Sequence, residues 1–399
     1  MEHVEKGQLK NAMTYYICNA ETGEDCILYC IVKTGSRTEK NNQSGISHFL
    51  EHMCLEFTRD STFKNRANGL TNYESTLFQF YCKNNEKSIN EVLDKIYEII
   101  NGEVLNEALM ENVRRDVIAE WKIQMISEGY IERNEIYSKL LPKPILDKIP
   151  IGQIEKIKKF NFKELCEFHQ THYVPNRIAI ICEGNFEKVN IRNILNREMW
   201  GHSDATKEEL KPNITEDVQP TKRFEIKLKK VPTKKMLILQ IIISVYGDSN
   251  STSSYYKNEL IKVAALTLLE KAVSQTLNNL GIQVDEAVMY ENALTINFGI
   301  ITLEFVSSNL KKQALEDILL EAIYIGWKSE LKNSVMGKLN EEVLKTISKK
   351  RNQTNCSRKC INNFVFNEPF CPSNQESLLY QAIQFSQQDI SKFIYEIIN

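Results

Sequence analysis

Apolar positions alternate along this chain first with the period of strands and then with the period of helices. Thr14 to Cys18 and Cys26 to Val32 predict two β-strands, joined as a hairpin by a turn around Glu21-Thr-Gly-Glu24. The polar stretch Thr34 to Ser44 predicts a loop, with Ser44 as N-cap of the helix that follows it. Leu77 to Tyr81 predicts another strand. Ile89, Val92, Leu93, Ile96, Ile99 and Ile100 then recur at helical spacing, which turns one face of an amphipathic helix toward a core. A further helix is expected from about Glu107 to Glu128, ending near Gly129, with Val113, Val117, Glu120 and Gln124 along one face. A helix over Phe162 to His172 and a strand over Ile178 to Cys182 close a first domain.

Beyond it the hydropathy drops and Gly201, Ser203, Pro212 and Pro220 mark a loose linker. Strands are then expected at Phe224 to Leu228 and Met236 to Val245, helices at Lys257 to Leu280 and Lys311 to Trp327, and strands between Ala293 and Phe305. The order strands, helix, strands, helix echoes the first half. The expected fold class is α+β: two similar domains, each an antiparallel-rich sheet packed with helices, over 1–205 and 222–399 with a linker at 206–221. A length of 399 residues at 42% hydrophobic content supplies a full core to each.

Fifty basic residues against 52 acidic ones leave no net charge that argues for nucleic acid or a membrane surface. The longest apolar runs, such as Met236 to Val245, are about half a bilayer span, so no membrane-crossing helix is expected. Met-Glu-His-Val-Glu-Lys at the start lacks the apolar core of a secretion signal, and a cytoplasmic location is expected. The ten cysteines are then read as reduced thiols; Cys26, Cys30, Cys82 and Cys182 sit in apolar strand-like runs as small hydrophobes. Cys356, Cys360 and Cys371 have irregular spacing and no histidine nearby, and are taken as structural or incidental.

Chemistry concentrates in Gly45-Ile-Ser-His48-Phe-Leu-Glu51-His52-Met, an H-x-x-E-H arrangement in a chain with six histidines. On a helix, His48 and His52 fall four residues apart on one face and can share a tetrahedral metal ion. Glu51 beside them can reach the water the metal activates without being a ligand. A third ligand must come from another helix, because one helix cannot wrap three ligands around a metal and leave a position open. Glu120 is an acid within an otherwise apolar stripe, and either a metal ion or a nearby Lys or Arg would compensate its charge. Glu111 faces away from that stripe and Glu128 lies at the helix end, so both are weaker candidates.

Four blocks of the first half resemble the pitrilysin and mitochondrial-processing-peptidase family of zinc peptidases. They are Gly45 to Met53; Asn68-Gly-Leu-Thr71-Asn-Tyr-Glu74-Ser-Thr76; Arg115-Asp-Val-Ile-Ala-Glu120; and Pro150-Ile-Gly152 through Tyr173-Val-Pro175-Asn176 to Gly184. The resemblance implies Zn2+ held by His48, His52 and Glu120, Glu51 as general base, and an edge strand around Asn68 and Thr71 against which peptide substrate pairs. It also implies half of a clamshell enclosing a chamber suited to unfolded peptides. His52 and Glu120 are closer in sequence than is usual in the family, and a small deletion near Thr58 to Arg66 accounts for it. The family's second acidic residue, seven before the ligand, is Val113 here.

In the second half, the arginine and tyrosine with which the family grips substrate backbone fall at Leu277 and Val284. The chain thus resembles the zinc-bearing subunit of a heterodimeric member, with a homologous partner supplying the grip; a second copy of the chain is the alternative partner. The implied activity is zinc-dependent peptide hydrolysis, for example maturation of a small precursor or leader peptide of the bacteriocin type. General oligopeptide turnover and a non-catalytic peptide-binding subunit are the alternatives.

Overall fold

A computed structural model describes residues 4–20, 23–59, 63, 65–187, 189–196, 224–231, 236–246, 252–295, 298–308, 319–333, 336–353, 355–370 and 385–398. The chain divides into two compact units. The first comprises Met1–Asn134, Lys143–Val218 and Asn355–Phe366, the second Glu135–Pro142, Gln219–Thr354 and Asn367–Asn399. The stretch 222–399, expected to form one domain, therefore returns a segment to the first unit. The expected linker, 206–221, lies outside the described residues.

The first unit is built on six strands: β1 (Val4–Gln8), β2 (Thr14–Asn19), β3 (Asp25–Val32), β4 (Arg66–Thr71), β5 (Thr76–Lys83) and β6 (Ile178–Gly184). Their spatial order is β1-β2-β6-β3-β5-β4. Every neighbouring pair is antiparallel except β2 and β6. The expected hairpin of β2 and β3 is thus not formed. The apolar β6, buried along almost its whole length, pairs with both and separates them.

One face of the sheet, with Ile17, Leu28, Cys30, Phe78, Phe80, Ile180 and Cys182, packs on helices α1 (Ile46–Leu55), α2 (Glu86–Asn101) and α3 (Met110–Ile126) in one core. The six apolar residues expected along α2 are all buried, and each contributes roughly 1.5–3 kcal/mol. The expected single helix to Glu128 is two. Helix α3 stops at Ile126, and α4 (Glu128–Leu140) restarts straight through Gly129. Helix α5 (Phe162–His172) has an Asn161–Glu164 capping box.

The second unit carries β7 (Phe224–Val231), β8 (Met236–Tyr246), β9 (Glu286–Thr295) and β10 (Phe298–Ser307) in the antiparallel order β7-β8-β10-β9. Its core is packed by α6 (Thr252–Asn279), a π-turn at Ala322–Gly326, α7 (Trp327–Asn333), α8 (Met336–Gln353) and α10 (Gln387–Ile398). Two antiparallel-rich sheets packed with helices make the chain α+β, as expected. Between α8 and α10 in sequence, α9 (Cys356–Phe366) belongs to the first unit and lies against β2 and β6. Among the described residues no helix is long and apolar enough to cross a membrane.

Candidate active site and metal centre

Helix α1 owes its position to a loop that is polar in sequence and yet largely buried from Thr34 to Glu39. Ser44 does not cap the helix; the N-cap is Gly45, in the left-handed region at φ +96°. Glu39, 1% exposed, accepts hydrogen bonds from the backbone N–H groups of Gly45 (2.9 Å) and Ser47 (3.0 Å). It does the capping from outside the helix. Burial pushes the Glu39 carboxyl up to about 8, against these hydrogen bonds and the charge of Lys148. In the same loop Arg37 pairs with Glu74 at 3.0 Å, both largely buried.

His48 and His52 extend from one face of α1 toward Glu120 on α3. Their Nε2 atoms are 3.2 Å apart, and Glu120 Oε2 is 3.4 Å from that of His48 and 3.1 Å from that of His52. Donor atoms bound about 2.0–2.1 Å from a tetrahedral metal lie about 3.3 Å from one another, so the triangle fits a small divalent cation such as zinc. Both imidazoles hold the Glu120 carboxyl well below its usual range, by hydrogen bonding and by charge. For His52 burial acts downward, but the Glu120 and Glu51 carboxylates outweigh it and its pKa is raised. His48 Nδ1 is buried and has no hydrogen-bond partner among the described residues.

Two supporting contacts are invisible in the motif itself. Gln124, one helical turn beyond Glu120, donates from Nε2 to Glu120 Oε1 at 2.9 Å and so orients the carboxylate. Thr71 donates from its hydroxyl to Glu51 Oε2 at 2.8 Å. Glu51 itself is buried, which raises its carboxyl, while His48, His52 and Thr71 oppose the shift. The strand beside it runs close: a Cβ on Gly69 would meet Glu51 Oε1 at 2.1 Å.

The structure therefore brings together His48, His52, Glu120, Glu51 and Thr71. Thr71 is buried with its hydroxyl committed to Glu51, while Asn68 is exposed on the alternate face of β4. Strand β4 is the last in its sheet, with its outer edge unpaired by any described strand. Glu111 is exposed and paired with Arg114, away from the cluster. Of the two second-half positions, Leu277 is fully buried in the core of the second unit and Val284 packs against it.

Residues 16–142 match the model of the insulinase family (Peptidase family M16), and residues 159–325 that of the Peptidase M16 inactive domain. The chain is 22% identical to the probable zinc protease PqqL of Haemophilus influenzae over 310 residues, 73% of this chain and 33% of that protein. It is 27% identical to the beta subunit of the mitochondrial-processing peptidase of Bos taurus over 174 residues, 40% of this chain and 34% of that one. The matches take in less than half the length of each of these relatives. Its fold superposes on the crystal structure of the first half of the periplasmic protease PqqL from Escherichia coli with a TM-score of 0.71 at 18% identity, covering 99% and 89% of the two chains. A putative M16-like peptidase from Alicyclobacillus acidocaldarius gives 0.69 at 12% identity, covering 98% and 95%. With the H-x-x-E-H helix inside the first matched stretch and the second sheet inside the second, this chain belongs to the insulinase and pitrilysin family of M16 peptidases.

Proposed function

We propose that this chain is the metal-bearing half of a zinc peptidase that hydrolyses extended peptides, in the cytoplasm, together with a homologous partner subunit. The observation that carries the reading is the triangle of His48, His52 and Glu120, closed to within 3.1–3.4 Å, with Glu51 directly alongside. His48, His52 and Glu120 would hold zinc. When bound, zinc supplies a Lewis acid for the scissile carbonyl and lowers the pKa of water toward about 7. Glu51 takes the proton from the attacking water and passes it to the leaving amine, with Thr71 fixing the carboxylate. Burial of Glu51 keeps bulk water from competing for that proton. Substrate adds as an extended strand along β4, where Asn68 and Leu70 meet its side chains and backbone pairing supplies affinity.

A partner is supported by the composition of the second unit. Leu277 and Val284 belong to a hydrophobic core, so neither supplies a polar grip on substrate. Access along a single strand edge favours short unstructured peptides, and the natural substrate we propose is a small precursor or leader peptide.

The test is cleavage of a mixture of unstructured peptides by the purified zinc-loaded chain, alone and with a candidate partner, read by mass spectrometry. Cleavage in either state that disappears in Glu51→Gln while zinc is retained supports the assignment. Cleavage that survives Glu51→Gln removes Glu51 as the base. Zinc bound without cleavage in any combination makes the chain a binding subunit.

A further inference from the structure

A second cluster of metal-ligating side chains lies on the opposite face of the six-stranded sheet. Helix α9 covers that face over β2 and β6. Tyr16 donates from its hydroxyl to Asn363 Oδ1 at 2.7 Å, and Ser357 donates to the hydroxyl of Tyr29 at 3.2 Å. Cys18 on β2 meets Cys356 and Cys360 of α9 between these contacts. The three sulfurs lie within 4.8 Å of one another, with Cys18 and Cys360 at 3.5 Å. All three residues are buried, Cys360 completely.

Cys356 and Cys360 are one helical turn apart and so present both sulfurs on one face, as His48 and His52 present their nitrogens. Sulfurs bound about 2.3 Å from a tetrahedral metal lie about 3.8 Å apart, which this triangle approaches without moving the backbone. A disulfide would use two of the sulfurs and leave the third without a role.

We propose that Cys18, Cys356 and Cys360 form a three-thiolate site for a thiophilic d10 metal ion, with zinc as the working ion, that staples α9 to β2. The fourth position is taken by water in a zinc complex and stays empty in a trigonal copper(I) complex. Binding releases the thiol protons to solvent; no sulfur is oxidised. The inference is independent of the peptidase reading, because the ion contacts neither His48, His52, Glu120 nor Glu51.

Titration of the full chain with Co2+ under strict reduction tests it. Thiolate ligands give an intense near-ultraviolet charge-transfer absorption that two imidazoles and a carboxylate do not. The expected result is that absorption in the wild-type chain and in His52→Ala, its displacement by Zn2+, and its loss in Cys18→Ser and Cys360→Ser together with one equivalent of bound metal. Copper instead of zinc in the purified protein fixes the ion as copper(I) at the same three sulfurs. Should the serine variants fail to fold, Cys356→Ala is read in their place, and thiolate absorption that survives it overturns the site. No thiolate absorption, or two of the ten thiols missing on titration of the unfolded, unreduced chain, overturns the site in favour of free thiols or a disulfide.

Discussion

The hydroxyl of Thr71 is hydrogen-bonded to Oε2 of Glu51 at 2.8 Å, joining the outermost strand of the sheet to the acid beside the two histidines. A base that must take a proton and return it within one turnover gains from a fixed carboxylate, and here the strand proposed to receive substrate does the fixing.

Thr71→Val keeps the shape and removes the donor. A hydrogen bond to a charged group is worth about 1.5–3 kcal/mol, so kcat should fall roughly 10–100-fold with metal content and KM little changed. Thr71→Ser should restore most of it. Equal kcat in Thr71→Val and wild type would show that Glu51 needs no such support.

Gln124→Leu removes the donor to Glu120 Oε1. Outer partners of metal ligands are typically worth 10–100-fold in affinity, and a zinc competition titration against a chelator of known strength should show a loss of about that size. Unchanged affinity would mean the Gln124 contact follows the geometry of Glu120 and does not set it.

Gly152 sits at φ +74° against the start of α1. A Cβ there would lie 2.3 Å from Gly45 Cα and 2.9 Å from the Ser44 carbonyl oxygen, both backbone atoms. Gly152→Ala should destabilise the first unit by about 1–3 kcal/mol or more, seen as a lower urea midpoint. It should also weaken metal binding, because the helix start that carries His48 has to shift.

Burial, with the charges of Arg177 and Lys40, lowers the pKa of His172 from 6.5 to about 4. Its Nδ1 accepts from Arg177 at 2.9 Å, a bond only the neutral ring makes. The unfolded chain therefore binds more protons than the folded one between these two values. The contribution is complete above about pH 6.5 and is lost as pH falls toward 4. Urea unfolding of wild type and His172→Gln across this range should show a steeper fall for wild type; parallel curves would remove His172 as a source of acid sensitivity.

What the sequence revealed and what it hid divide along a physical line. His48 and His52 are legible from helical spacing, which leaves Glu120 open between a metal and an ion pair until the family resemblance singles it out. The same logic put Gln124 on the face of Glu120 without revealing that it binds the carboxylate. Thr71 was legible as part of a motif, yet its side chain turns to Glu51. Ser44 looked like a cap by residue type, but the loop folds Glu39 into that role, which depends on tertiary packing. Longer-range facts left still less trace: nothing near Cys26 announces that β6 will enter between β2 and β3, and nothing near Cys18 announces Cys356 and Cys360. Periodicity sees a few residues in each direction, whereas these partners are separated by well over a hundred residues, and the cysteines by most of the chain.

The place of β6 between β2 and β3 has a consequence for how the first unit matures. A chain synthesised from its N-terminus has β2 and β3 available early but must reach Gly184 before the strand between them exists, and Phe366 before α9 covers the back of the sheet. Until then two apolar strands present unpaired edges at what will become the centre of the sheet, a template for pairing with other chains. Fragments that end before Ile178 are expected to aggregate although they contain the whole H-x-x-E-H helix and Glu120. The residues proposed to hold the metal are complete in sequence long before the scaffold that aligns them can close.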